Sequence, residues 1–390
     1  MTQPVSRSGA EEREAVPQVL ALDLGGTHLR TAVATRDGRL LARRQSRTPV
    51  ADAETVVAAC LAQLSETRAE AEVAGLTSRL LTISAPGPLD PRSGVLIDPP
   101  NLHPSLWDFP LGPRLAEPLG VEVLLERDTQ VAALAEGLFG QAQGLTDYVY
   151  VTVSTGVGGA VVSGGRLLRG PDGVAGELGH TTVDDQGPPC GCGAAGHLEA
   201  FTSGTGIAAA ARRAFEAGEI KRGTPLARLF EERGPERVGG RDVAGAEDEG
   251  DPLAAVILGR ARSAFASALV SIVDVFNPQR VIVGGGVAMG QGERLLGPAR
   301  ERIGREAFRA QARRVEIVPA GLGDDVGLLG GIGLAGLPPL APESPSGLPS
   351  GTRQGGATNA GRMTLAQPAS VAQHEHHEHQ PDQRGAAVSA

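Results

Sequence analysis

The chain has 390 residues, a length for two domains, and 41% of them are hydrophobic, enough for a sizeable core of Ala, Val, Leu and Ile since aromatics are only 3%. A formal net charge of −9 argues against nucleic acid or an anionic membrane as the main partner, because either calls for a basic patch. Three cysteines make no disulfide framework and point to a reducing, cytoplasmic compartment.

Residues 1–16 are polar, carry Glu11, Glu12 and Glu14, and read as a disordered segment that is neither signal nor transit peptide. QVLALDLGG (18–26) is a short apolar run ending in glycines, a strand into a tight turn. Residues 29–48 alternate around Asp37-Gly38 as a hairpin, and 52–70 have helical spacing. RLLTISAPGPLD (79–90) is a strand into a Pro/Gly turn, VEVLLERD (121–128) a strand, and 129–140 a helix closed by glycine. Residues 148–168 read as a hairpin with a glycine-rich turn, 205–230 and 253–276 as helical, 280–288 as a strand into a glycine turn and 314–320 as a late strand. No window reaches 18 apolar residues, so no membrane-spanning helix is expected. From about Leu337 the chain turns Pro-, Gly-, Ser-, Gln- and His-rich, a composition for a solvated tail whose His374–His379 region has no assigned metal role. Strand and helix alternating through the body predict α/β domains.

Two glycine-rich turns follow strands: Asp23-Leu24-Gly25-Gly26-Thr27 and Ser154-Thr155-Gly156-Val157-Gly158-Gly159. Such turns let backbone N–H groups approach phosphate oxygens, and the hydroxyls of Thr27 and Thr155 can donate too. Neither is a Walker loop or a Rossmann fingerprint. With a third turn at Gly284-Gly285-Gly286 they suggest a cleft gripping a nucleotide from both sides. Asp23 is placed to hold Mg²⁺ through water, or simply to bond its own turn. Asp128 sits between a strand end and a helix start, where it reads equally as a helix cap or as the general base of a phosphoryl transfer.

In order, LDLGGTHLRTAV, ISAPGPLDPRSGVL, STGVGGAVV, GELGH, CGCGAAGHLEAFTSG and VIVGGGV resemble the ROK family of bacterial sugar kinases and repressors, and within it the glucokinases, over about residues 18 to 336. The resemblance implies an actin-like, hexokinase-type α/β fold with ATP and a hexose, glucose first, in a central cleft. It implies a small domain of 17–125 completed by a helix near 325–336, a large domain of 126–324, a tail of 337–390, and a homodimer. It makes Asp128 the catalytic base, Gly284–Gly286 the adenosine-side turn, and Glu177, His180, Glu199 and Asn101 the sugar ligands. One departure is Arg127, where the family has a sugar-binding Asn. Arginine only donates and carries charge, so it cannot copy an amide, and it points to a modified or charged sugar or to a side chain turned away. The other is His197, where the family more often has cysteine. N-acetylmannosamine, N-acetylglucosamine, fructose and allose remain open as substrates. A repressor would need an N-terminal helix-turn-helix, for which the segment before Gln18 leaves no room, and a sugar binder without catalysis would not need Asp128 and both phosphate turns.

The stretch CGCGAAGHLE (190–199) is C-x-C rather than C-x-x-C, which disfavours a redox pair. Together His180, Cys190, Cys192 and His197 form a Cys₂His₂ set that reads as a structural Zn²⁺ site; it would anchor the loop bearing Glu199 and leave one nitrogen of His180 for the sugar.

Overall fold

The computed structural model describes residues 18–338; the expected N-terminal segment and nearly all of the tail, with its histidine cluster, lie outside the described residues. The first half runs through β1 (Gln18–Leu24), β2 (His28–Thr35), β3 (Leu40–Arg47), α1 (Ala53–Val73), β4 (Leu80–Ala85), the short pair β5 (Leu89–Asp90) and β6 (Val95–Leu96), α2 (Leu111–Leu119), β7 (Glu122–Arg127) and α3 (Asp128–Phe139). The second half continues with β8 (Tyr148–Val153), β9 (Val157–Ser163), β10 (Arg166–Leu167), α4 (Leu198–Thr202), α5 (Gly204–Glu216), α6 (Pro225–Arg233), α7 (Gly240–Asp248), α8 (Pro252–Phe276), β11 (Arg280–Gly284), α9 (Gly286–Gln291), α10 (Glu293–Glu306), α11 (Arg309–Ala312), β12 (Glu316–Pro319) and α12 (Val326–Ala335).

The two five-stranded sheets share one plan. Their orders are β3-β2-β1-β4-β7 and β10-β9-β8-β11-β12. In each, the first three strands form an antiparallel meander and two parallel strands follow on the other side. The turn after the first strand of each sheet, 24–28 and 153–157, is therefore the same topological position used twice.

Both faces of each sheet are covered, which explains the nearly continuous apolar runs of β1, β4, β8 and β11. On the first sheet, α1 and α2 bring Val56, Leu64 and Leu111 against Leu20, Leu22 and Ile83. The other face takes Leu328 and Ile332 of α12 against Val19, Ala21 and Ala34. The last described helix thus returns to the first sheet. On the second sheet, Phe265 and Leu269 of α8 and Leu295 of α10 pack on Val149, Val151 and Val281. Its other face takes Ala132 and Ala133 of α3 against Tyr148 and Ala160. Helices α3 and α12 meet through Val131, Leu134 and Leu334, so their contact joins the two halves.

Three segments differ from the sequence reading. The 148–168 hairpin is a three-stranded meander, because Gly164 and Gly165 at φ 56° and 72° turn the chain once more into β10. The helical run 205–230 is two helices: α5 ends at Glu216, and Thr224 caps α6 through the N–H of Ala227 with Pro225 at its first turn. Helix α8 is long and apolar enough to cross a membrane by length and composition, yet its inner face is core of the second half. Its ends are those of a core helix: Asp251 accepts from the N–H groups of Leu253 and Ala254, and Asn277 closes it in the left-handed conformation.

Candidate active site

The first glycine turn is tied down by Thr48, whose hydroxyl donates to Gly25 O at 2.6 Å and whose N–H donates to Thr27 O at 3.0 Å. Gly26 has no room for a side chain, since a Cβ there would lie 2.7 Å from the backbone oxygen of Asn101. Asn101, exposed, therefore sits directly over this turn. Asp23, at the end of β1, accepts from Ser84 Oγ at 3.0 Å and from Arg30 Nη1 at 3.0 Å. Burial pushes its carboxyl above the usual range, and Arg30 and Ser84 oppose that rise. The start of α12 closes on the same carboxylate, where a Cβ on Gly327 would come 2.5 Å from Asp23 Oδ1.

The second turn is held from the opposite direction. The N–H of Val157 donates to Glu199 Oε2 at 2.8 Å. Ser154 O accepts from the N–H of Gly204 at 2.8 Å, and Thr155 O from the hydroxyl of Thr205 at 2.8 Å. Gly158 faces Thr129, the residue after Asp128. A pocket of about 650 Å³ opens beside this turn, lined by Thr155, Gly286, Val287 and the faces of α5, α7 and α10. Of the third glycine run only Gly286 lines the pocket. Gly284 is the buried end of β11, and Gly285, at φ 91°, passes so close to Val153 O that a Cβ would lie 2.4 Å away.

Asp128 occupies the first position of α3, and Arg127 is the cap residue, without a side-chain capping bond. Asp128 Oδ1 accepts from the N–H of Thr129 at 2.7 Å. The residue is exposed at the surface yet surrounded by a dense mass of protein. That enclosure raises its carboxyl to about 6; the Thr129 N–H and the charge of Arg127 pull it down, and the charges of Asp23 and Glu177 push it up. Asp23, the adjacent Arg127 and Asp128, and Glu177, three places well separated in sequence, are thus one electrostatic group.

Arg127 is only 3% exposed. Its Nη1 donates to Glu177 Oε1 and its Nη2 to Ala175 O. Its stem lies where a side chain on Gly87 would go, with Cδ 2.7 Å from the position of a Cβ. The guanidinium is thus engaged by Glu177, itself one of the residues expected on the sugar side. The second carboxylate oxygen of Glu177 lies 3.9 Å from His180 Nε2.

The Nδ1 atom of His180 faces the other way, 3.3 Å from His197 Nδ1 and 3.8 Å from Cys190 Sγ, and Cys192 Sγ is 3.3 Å from His197 Nδ1. All four donor atoms lie within 4.8 Å of one another. Zinc bonds of about 2.0 Å to nitrogen and 2.3 Å to sulfur give a tetrahedron with edges of roughly 3.3–3.8 Å. The donor set and these three contacts fit such an ion, and four such protein ligands would leave no open position.

Several site residues had no legible spacing. Arg30 and Ser84 reach Asp23 from β2 and β4. Arg212, Arg237, Arg241 and Arg294 line the pocket wall from separate segments that meet only in three dimensions.

The ROK family model matches residues 19–336. A glucokinase of Thermotoga maritima is 34% identical over 314 residues, covering 80% of this chain and 95% of that protein. An N-acetylmannosamine kinase of Escherichia fergusonii is 37% identical over 322 residues, covering 81% of this chain and 97% of that one. Among solved structures, the ROK family glucokinase from Streptomyces griseus in complex with glucose and AMPPNP aligns with TM-score 0.65 and 30% identity over 81% of this chain and 98% of that chain.

Proposed function

The chain belongs to the ROK family and is a sugar kinase, and from that premise we propose that it transfers the terminal phosphoryl group of ATP to a hexose, glucose in the first instance, with Asp128 as general base. The observation that carries the reading is that Asp128 stands within electrostatic reach of Asp23, which ends β1 just before the first glycine turn, and of Glu177. An ionised Asp128 accepts the hydroxyl proton as the sugar oxygen attacks phosphorus, while backbone N–H groups and threonine hydroxyls of the two turns hold the donor phosphates in line. Mg²⁺ bound with ATP supplies charge neutralisation on those phosphates, and Asp23 is the residue that would hold it through water. Pocket size beside the second turn suits an adenosine.

On the sugar side, Glu177, His180, Glu199 and Asn101 offer acceptors and donors to hydroxyls. With Arg127 engaged by Glu177, the site presents no free cation at that position, which favours a neutral sugar over an acidic one. Zinc at His180, Cys190, Cys192 and His197 serves architecture alone. N-acetylmannosamine is the second reading, supported by the 37% identical relative of that name. A homodimer and a cytoplasmic location belong to the same proposal, testable by light scattering and cell fractionation. The deciding experiment is an ATP-coupled assay over glucose, N-acetylmannosamine, N-acetylglucosamine, fructose and allose. Turnover highest with glucose is expected; no turnover with any hexose overturns the reading.

A further inference from the structure

We propose that residues 197–205 are a strut coupling the metal-anchored acceptor side of the cleft to the turn that holds the donor phosphates, with Glu199 as its positioning residue. The proposal deepens the kinase reading and rests on it. At one end stands His197, a member of the four-residue donor cluster and the cap residue of α4. The next N–H, of Leu198, donates to Thr181 O at 3.0 Å, next to the second cluster histidine. At the other end, Gly204 N–H and the Thr205 hydroxyl bond to Ser154 O and Thr155 O, each at 2.8 Å. Ser203 stiffens that end, its hydroxyl 2.9 Å from Thr205 Oγ1 and accepting from Gly206 N–H at 2.9 Å.

Glu199 lies between the two ends. Its Oε2 accepts from Val157 N–H, and the backbone comes so close that a Cβ on Gly156 would sit 2.6 Å from the same oxygen. Its Oε1 makes no hydrogen bond among the described residues. One carboxylate therefore fixes the donor turn with one oxygen and keeps the other for an acceptor hydroxyl. A sugar that orders Glu199 also orders the turn, so each substrate strengthens binding of the other by the same factor. The turn's own strands do not supply this constraint: Ser154 to Gly156 make a single internal bond, from Ser154 N–H to Gly156 O.

The test is calorimetric binding of a non-hydrolysable ATP analogue to the full chain with and without glucose, with zinc content and Tm recorded for every protein. Glu199→Gln keeps an acceptor for Val157 N–H and should hold analogue affinity without sugar within about twofold of wild type. Glu199→Ala leaves that N–H unpaired and should weaken the analogue about tenfold, with zinc content unchanged. Glucose should tighten the analogue about fivefold or more in the wild type and hardly at all in Glu199→Ala. Cys192→Ser, which frees the far end of the strut, should also weaken analogue binding. Wild-type analogue affinity in Glu199→Ala, or equal loss in Glu199→Gln and Glu199→Ala, overturns the strut. A wild-type protein that binds no analogue overturns the donor-turn reading, and the strut with it.

Discussion

The two halves of this molecule start from the same sheet and solve the phosphate turn differently. In the first half β3 leads through α1 to β4, and the turn after β1 carries its own charge: Asp23, held by Ser84 and Arg30 from adjacent strands. In the second half a long insertion between β10 and β11 holds the donor cluster and α4–α8, and the turn after β8 has no charged residue of its own. Its carboxylate, Glu199, arrives from the insertion. The difference teaches that one topology can make a turn self-sufficient or dependent on a distant anchor, according to what is inserted beside it. The self-sufficient turn should respond only to changes within its sheet, the dependent one to metal removal.

The largest effect is expected where the halves meet. Asp128→Asn should lower turnover by about 10² or more, the scale of a lost general base, with sugar binding little changed. Unchanged turnover in a coupled assay would return Asp128 to a purely structural place in the first turn of α3. Next, Cys190→Ser should abolish stoichiometric zinc and raise the sugar KM by about 10-fold or more, because the support of the loop bearing His180 and Glu199 is gone. Elemental analysis with KM measurements checks this; full activity without bound metal would make the second turn as independent as the first. Gly26→Ala pushes a methyl onto the Asn101 backbone and should weaken donor binding several-fold while leaving zinc content intact.

The pH profile gives the smallest and most selective effect. In the proposed mechanism Asp128 works ionised, and its carboxyl is raised to about 6, so kcat/KM should fall as pH drops through about 6. Arg127 stabilises the ionised form, so Arg127→Asn should move that acid limb to higher pH. A limb left in place would mean that Arg127 acts only by holding Glu177.

Much of this was legible in local chemistry. The glycine turns, Asp128 at a strand-to-helix junction, and the C-x-C pair with two histidines are short-range patterns that could be located from the chain alone. What stayed hidden were partners. That the guanidinium of Arg127 lies against Glu177, fifty residues on in the chain, could not be read from local spacing. Glu199 could be read only as a sugar residue until Val157 N–H was found on it.

The amino-acid sequence by itself determined the α/β alternation and the positions of the glycine turns, because periodicity and turn residues act over a few residues, and its motifs carried the family resemblance. Only the tertiary structure decided that the two sheets repeat one plan, that α12 packs on the first of them, that the charges of Asp23 and Glu177 act on Asp128, and that Glu199 accepts a hydrogen bond from the turn after β8. Those are matters of which side chains meet across a cleft, and burial and charge coupling depend on distance in space, for which separation along the chain is no guide.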